Sequence, residues 1–143
     1  MIILKPQIIG KNNMITGFYA GLLGLMLVVL ILRVALRRRK YKVGLGDGGI
    51  ADLGQAIRVH GNFVETAPVM LILLLLLESS HSQALILHSC GLSIVLSRLL
   101  HAYGITSSPL ASNGRKYGVL LTFIVIIVSS ILLISKYLSN IIT

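Results

Sequence analysis

AIRVHGNFVETAPVMLILLLLLE, residues 56–78, is the stretch on which the fold turns. Its second half, Val69 to Leu77, is an unbroken run of nine apolar residues. As a helix that run rises only about 13 Å, too little to cross about 30 Å of hydrocarbon. The segment becomes long enough when it is extended back to Ala51, and it then has to carry Arg58, His60, Asn62 and Glu65. The helical repeat brings Arg58, Asn62 and Glu65 to one face, while His60 points elsewhere. At mid-depth each charged group costs about 2.5–3.5 kcal/mol, and the apolar run returns roughly 4 kcal/mol in all. These polar groups must therefore lie near the interface, pair with each other, or face a wet cavity between helices. Ionisable side chains in such a position are functional candidates by default.

Three further apolar blocks flank this one. Met14 to Leu36 is too long for the apolar region of a signal peptide and reads as a first span. The others run from about Ser82 to Tyr103 and from about Gly114 to Tyr137. The expected spans are 14–36, 51–78, 82–103 and 114–137, in one domain covering residues 1–143. The expected fold class is all-α, an integral-membrane four-helix bundle subunit. Tyr41 to Gly49, Glu78 to His81, and Gly104 to Asn113 (with Ser107, Ser108 and Pro109) read as connectors. Residues 1–13, with Pro6, read as a surface tail.

Composition agrees. Of the 143 residues, 55% are hydrophobic and only 12% charged, against about 25% charged in soluble domains. The formal net charge of +9 invites a nucleic-acid reading. However, six of the thirteen Lys and Arg residues fall between Arg33 and Lys42, beside an apolar block. That run is a topology signal, and no nucleic-acid partner is expected. Arg37, Arg38, Arg39, Lys40 and Lys42 mark the first connector as cytoplasmic, and Arg115 and Lys116 mark the third. Both termini then face the periplasm, although Lys5 and Lys11 in the tail reduce the contrast. The lone Cys90 excludes an intramolecular disulfide and reads as a small packing residue. His60, His81, His88 and His101 are scattered, and no metal site is expected. The glycine string Gly44 to Gly49 lacks the βαβ context of a dinucleotide loop.

A second polar set lies on the third span, where Ser93, Ser97 and His101 recur every four residues and Arg98 follows Ser97. Serines at this spacing suit helix packing. Arg98 either reaches the interface or binds an anion. The fourth span opens with Arg115, Lys116 and Tyr117. Arg58, Arg98, Arg115 and Tyr117 all fall toward the cytoplasmic side, with Glu65 deeper.

The run Arg58-Val-His-Gly-Asn62-Phe-Val-Glu65-Thr-Ala-Pro68 resembles the second-helix signature of the MAPEG family, membrane-associated proteins in eicosanoid and glutathione metabolism. Gly46-Asp47-Gly48-Gly49 and the stretch Gly91 to Arg98 with His101 resemble its bacterial branch. The likeness spans roughly residues 14–138. It implies a subunit of a homotrimer in the bacterial inner membrane, with glutathione bound between subunits as co-substrate near the cytoplasmic side. Carried onto this chain, Arg58, Asn62, Glu65, His101 and Tyr117 are glutathione-binding positions. Arg115, then Arg98, are the candidates for activating the thiol. Two positions depart from the family pattern. Gly61 stands where some eukaryotic members carry arginine, and Arg115 precedes Tyr117 by only two residues.

Glutathione's carboxylates suit arginine, and its ammonium suits Glu65. A neighbouring cation raises the thiolate fraction. The expected function is a glutathione-dependent transferase or peroxidase acting on a lipophilic electrophile. The alternative is a non-catalytic membrane bundle or lipid-binding scaffold whose polar face serves assembly. A small transporter is disfavoured, because no helix carries a broken-helix signal.

Overall fold

A computed structural model of the chain describes residues 14–107 and 112–142. The expectations for the tail (Lys5, Pro6, Lys11) and for Ser108 and Pro109 lie outside the described residues. Four helices follow in order: α1 Ile15–Tyr41, α2 Ala51–Ser79, α3 Ala84–Ser107 and α4 Asn113–Ile142. All four are long and apolar enough to cross a membrane. α2, with 29 residues, rises about 43 Å, so its ends reach past the hydrocarbon.

The helices pack up-down-up-down. α3 packs on α4, α1 on α2, and α2 on α3; α1 also meets α3, and α2 meets α4. Among the described residues, α1 and α4 do not meet. The core therefore lies along α2 and α3, where Leu53, Met70, Leu74, Leu77, Leu87 and Ile94 are fully enclosed. The outer faces remain apolar, with Leu25, Val29 and Leu32 on α1 and Phe123, Ile127 and Ile131 on α4 all exposed. Patches of that extent are not tolerated in water and suit contact with acyl chains.

The basic run, read from sequence as a connector, is helical. α1 continues through Arg37, Arg38, Arg39 and Lys40, and these cations favour the negative end of the helix dipole. Lys42 then adopts a left-handed conformation, and Val43 N donates to the Arg38 carbonyl at 3.1 Å, closing a Schellman turn. Gly46, Gly48 and Gly49 all have positive φ in the loop that follows, which accounts for its glycine content.

Glu78 is the second difference. The sequence reading put it where the second span ends and a polar turn begins; it lies in the last turn of α2 and is buried. Its carboxylate accepts from Ile15 N at 3.0 Å and Thr16 N at 2.9 Å. α1 has no side-chain cap of its own, and Glu78 satisfies its first free N–H groups from the neighbouring helix.

That contact fixes the depth scale. Ile15 and Glu78 share one level, and Arg33 lies about 27 Å further along α1. On antiparallel α2, Glu65 lies about 20 Å and Arg58 about 30 Å from Glu78. Arg58 thus sits at the level where the basic end of α1 begins, and Glu65 about 10 Å inside it.

Candidate functional site

Arg98 is the most deeply placed charge in the bundle, at 2% exposure. It does not reach out to the interface. Its guanidinium is held among three helices: Nη1 donates to the Asn62 side-chain oxygen at 3.0 Å and to Thr66 Oγ1 on α2. Nη2 donates to Thr122 Oγ1 on α4, and Nε to Ser97 Oγ at 3.3 Å. Every one of these acceptors is neutral. Thr66 and Thr122 each donate their own hydroxyl proton to the carbonyl four residues back, Asn62 and Gly118, so their oxygens are left to accept from the guanidinium. The charge is solvated by dipoles, with no carboxylate bonded to it among the described residues.

The α3–α4 crossing brings these groups together. A Cβ at Gly104 would lie 2.1 Å from Arg115 N, and one at Gly118 would lie 2.6 Å from His101 N. Glycine at both positions lets the two backbones approach closely enough for Thr122 to reach Arg98. His101 is buried against Gly118 and feels the charges of Arg98, Arg115 and Arg58.

The other half of the site faces out of the protomer. Arg58 Nη1 and Glu65 Oε1 are 3.8 Å apart, and their side chains are 65% and 56% exposed. They edge a groove of about 480 Å³ lined by Gly46, Asp47, Gly54, Ile57, Gly61 and themselves. Asp47 is turned into place by accepting Gly49 N at 3.0 Å. A Cβ at Gly54 would come within 2.8 Å of the Asp47 carboxylate, so glycine is what makes room for it. The groove presents a negative, a positive and a second negative group along its length.

The structure thus brings Asn62 to Arg98, with His101 nearby, and Arg58 to Glu65. Arg115 and Tyr117 are exposed on α4, and no bond joins either side chain to the α2 groups. His60 takes part in neither set. Cys90 is buried in the core, with Ser129 Oγ 3.9 Å from its sulfur.

Sequence reasoning passed over Thr66, Thr122, Asp47 and Glu78. Thr66 follows Glu65 and lies one turn from Asn62, a spacing that was available as a signal. Thr122 sits in an apolar run that offers no such signal. A belt above the site was also not foreseen. Arg33 Nη1 donates to Thr106 Oγ1 at 2.6 Å, and Arg37 and Tyr41 both bond Asp52, at 2.9 and 3.0 Å.

Two comparisons bear on this arrangement. The chain is 38% identical over 91 residues to Inner membrane protein YecN of Escherichia coli K12, covering 64% of this chain and 70% of that protein. The same figures hold for Inner membrane protein YecN of Escherichia coli O6:H1. Residues 16–135, which reach from the first turn of α1 well into α4 and include both halves of the polar site, match the sequence model of the MAPEG family, and the chain is a multi-pass membrane protein belonging to that family.

Proposed function

We propose that this protein is an inner-membrane, glutathione-dependent transferase or peroxidase that acts on lipophilic electrophiles as a homotrimer. One observation carries the reading: an exposed Arg58–Glu65 pair edging a polar groove on a helix that spans the bilayer. Acyl chains cannot solvate that face. A second copy of the chain packed over it encloses the groove and supplies the exposed Arg115 and Tyr117 that a single protomer leaves apart. The name of the Escherichia coli relatives supports the inner membrane, and the basic end of α1 supports a cytoplasmic first connector with both termini periplasmic.

In this reading Arg58 pairs with a glutathione carboxylate, and Glu65, with Asp47 close by, takes the ammonium. Asn62 is pinned by Arg98 and turns its remaining hydrogen-bonding end to the ligand. His101 lies buried behind the groove, one turn from Arg98 on α3. Arg98 is too enclosed to meet the sulfur, which makes it a positioning residue. The exposed Arg115 is the group that stabilises the thiolate. The thiol proton passes to water, the sulfur bonds to the electrophilic carbon, and the leaving group departs with its electron pair.

A titration of the purified assembly with glutathione tests this. Saturable millimolar binding by wild type and its loss in Glu65→Ala are expected, with an assembly mass of three chains. Absence of binding by an intact assembly overturns the reading.

A second reading is a non-catalytic bundle or lipid-binding scaffold. It is favoured by the way neutral acceptors from α2, α3 and α4 already satisfy Arg98. Asn62→Ala and Glu65→Ala would then disrupt assembly, with no glutathione binding to lose.

A further inference from the structure

The far end of the bundle carries a second polar site that the proposed reaction does not use. Ser80, His81, Leu132, Ser135, Lys136, Ser139 and Asn140 line a groove of about 550 Å³ between the α2–α3 turn and the last turns of α4. Lys136 is the sole Lys or Arg at this end among the described residues, all the others lying toward the opposite end. Its ammonium donates to the Ser80 carbonyl at 2.8 Å and to Ser80 Oγ at 3.2 Å. A lysine ammonium has three donors, so one remains, and no carboxylate pairs with this one among the described residues.

The chemistry around it is complementary. Ser135 gives its hydroxyl proton to the Ile131 carbonyl at 2.8 Å, so its oxygen offers the groove an acceptor. Asn140 is exposed and offers both a donor and an acceptor. Leu132 forms an apolar wall, and Val128 and Ile131, one turn deeper on α4, are exposed along the path an acyl chain would take. The depth is right as well. Lys136 meets Ser80, two residues beyond Glu78, at the level where α1 enters the hydrocarbon.

We propose that this groove is a glycerophospholipid site: Lys136 binds the phosphodiester, and Ser135 and Asn140 select headgroups that carry O–H or N–H donors. Phosphatidylglycerol and phosphatidylethanolamine satisfy both requirements. Phosphatidylcholine has the phosphate but no headgroup donor. The proposal is independent of glutathione binding.

The test is native mass spectrometry of the detergent-purified assembly, titrated separately with dioleoyl phosphatidylglycerol, phosphatidylethanolamine and phosphatidylcholine. The first two are expected to be retained in preference to the third. Lys136→Gln is expected to lower retention of all three about fivefold, the effect of one interfacial cation. Ser135→Ala leaves the Lys136–Ser80 contact in place, and it should bring phosphatidylglycerol and phosphatidylethanolamine down toward the phosphatidylcholine level. Equal retention of all three lipids by wild type overturns the proposal, as does unchanged retention in Lys136→Gln. Millimolar inorganic phosphate is the remaining arm. If it displaces the lipid, the site belongs to free phosphate and the lipid assignment fails; continued retention in its presence supports the lipid. If Lys136→Gln does not fold, Ser135→Ala alone decides, since unchanged lipid preference in that variant removes the selection argument.

Discussion

Arg98 and Arg58 are both arginines in membrane-spanning helices, and they are solved in opposite ways. Arg98 is enclosed and bonded by Asn62, Thr66, Thr122 and Ser97 from within its own chain. Arg58 is exposed, shares only a 3.8 Å contact with Glu65, and opens onto a groove. The inner cluster is complete in one protomer, whereas the outer one needs something beyond it. A polar residue in a span is therefore informative less by its presence than by whether its own chain already satisfies it.

The contrast breaks first at the α3–α4 crossing. Gly104→Val forces a side chain into the Arg115 backbone, and no rotamer relieves that. A loss of more than about 3 kcal/mol is expected, seen as a collapse of thermal stability in detergent. Arg98→Met is milder for the fold, because the desolvation of a charge without a counter-ion is relieved while Asn62 loses a partner. Stability is expected to change by less than about 2 kcal/mol in either direction, with glutathione binding lost. A large drop in unfolding temperature would instead make Arg98 a structural keystone.

Glu78→Gln weakens the cap on α1. It should cost about 1 kcal/mol, show as faster hydrogen exchange at Ile15 and Thr16, and leave glutathione affinity unchanged. Glu65→Gln is the smallest perturbation to the fold, under about 1 kcal/mol for so exposed a pair. It should nonetheless weaken glutathione binding about tenfold or more, which an affinity titration would register. Equal affinity in that variant would remove the outer groove from the binding site.

Much of this was legible in the sequence. Long apolar blocks specify helices wherever the backbone must satisfy itself, and the polar run in α2 marked positions where polar groups meet in the structure. The division of that run was not legible. Relative to Arg58, Glu65 lies about 20° to one side and Asn62 about 40° to the other, so a single face was a fair reading. The buried face of α2, which holds Val59, Phe63 and Met70, lies on Asn62's side. Forty degrees was enough to bring the Asn62 side-chain oxygen inward to Arg98 with Thr66 and leave Arg58 and Glu65 outside. Glu78 was missed for another reason. Its partners are backbone N–H groups more than sixty residues away in sequence, and no local pattern announces such a contact.

The same glutamate has a consequence for how the chain is made. With Glu78 holding one extremity of α1 and the Arg37–Asp52–Tyr41 knot holding the other, the first two helices form a hairpin tied at both ends by its own residues. Once residue 78 has emerged during synthesis, that hairpin can latch in the bilayer as a finished platform. Arg98, arriving later on α3, then meets Asn62 and Thr66 already in position.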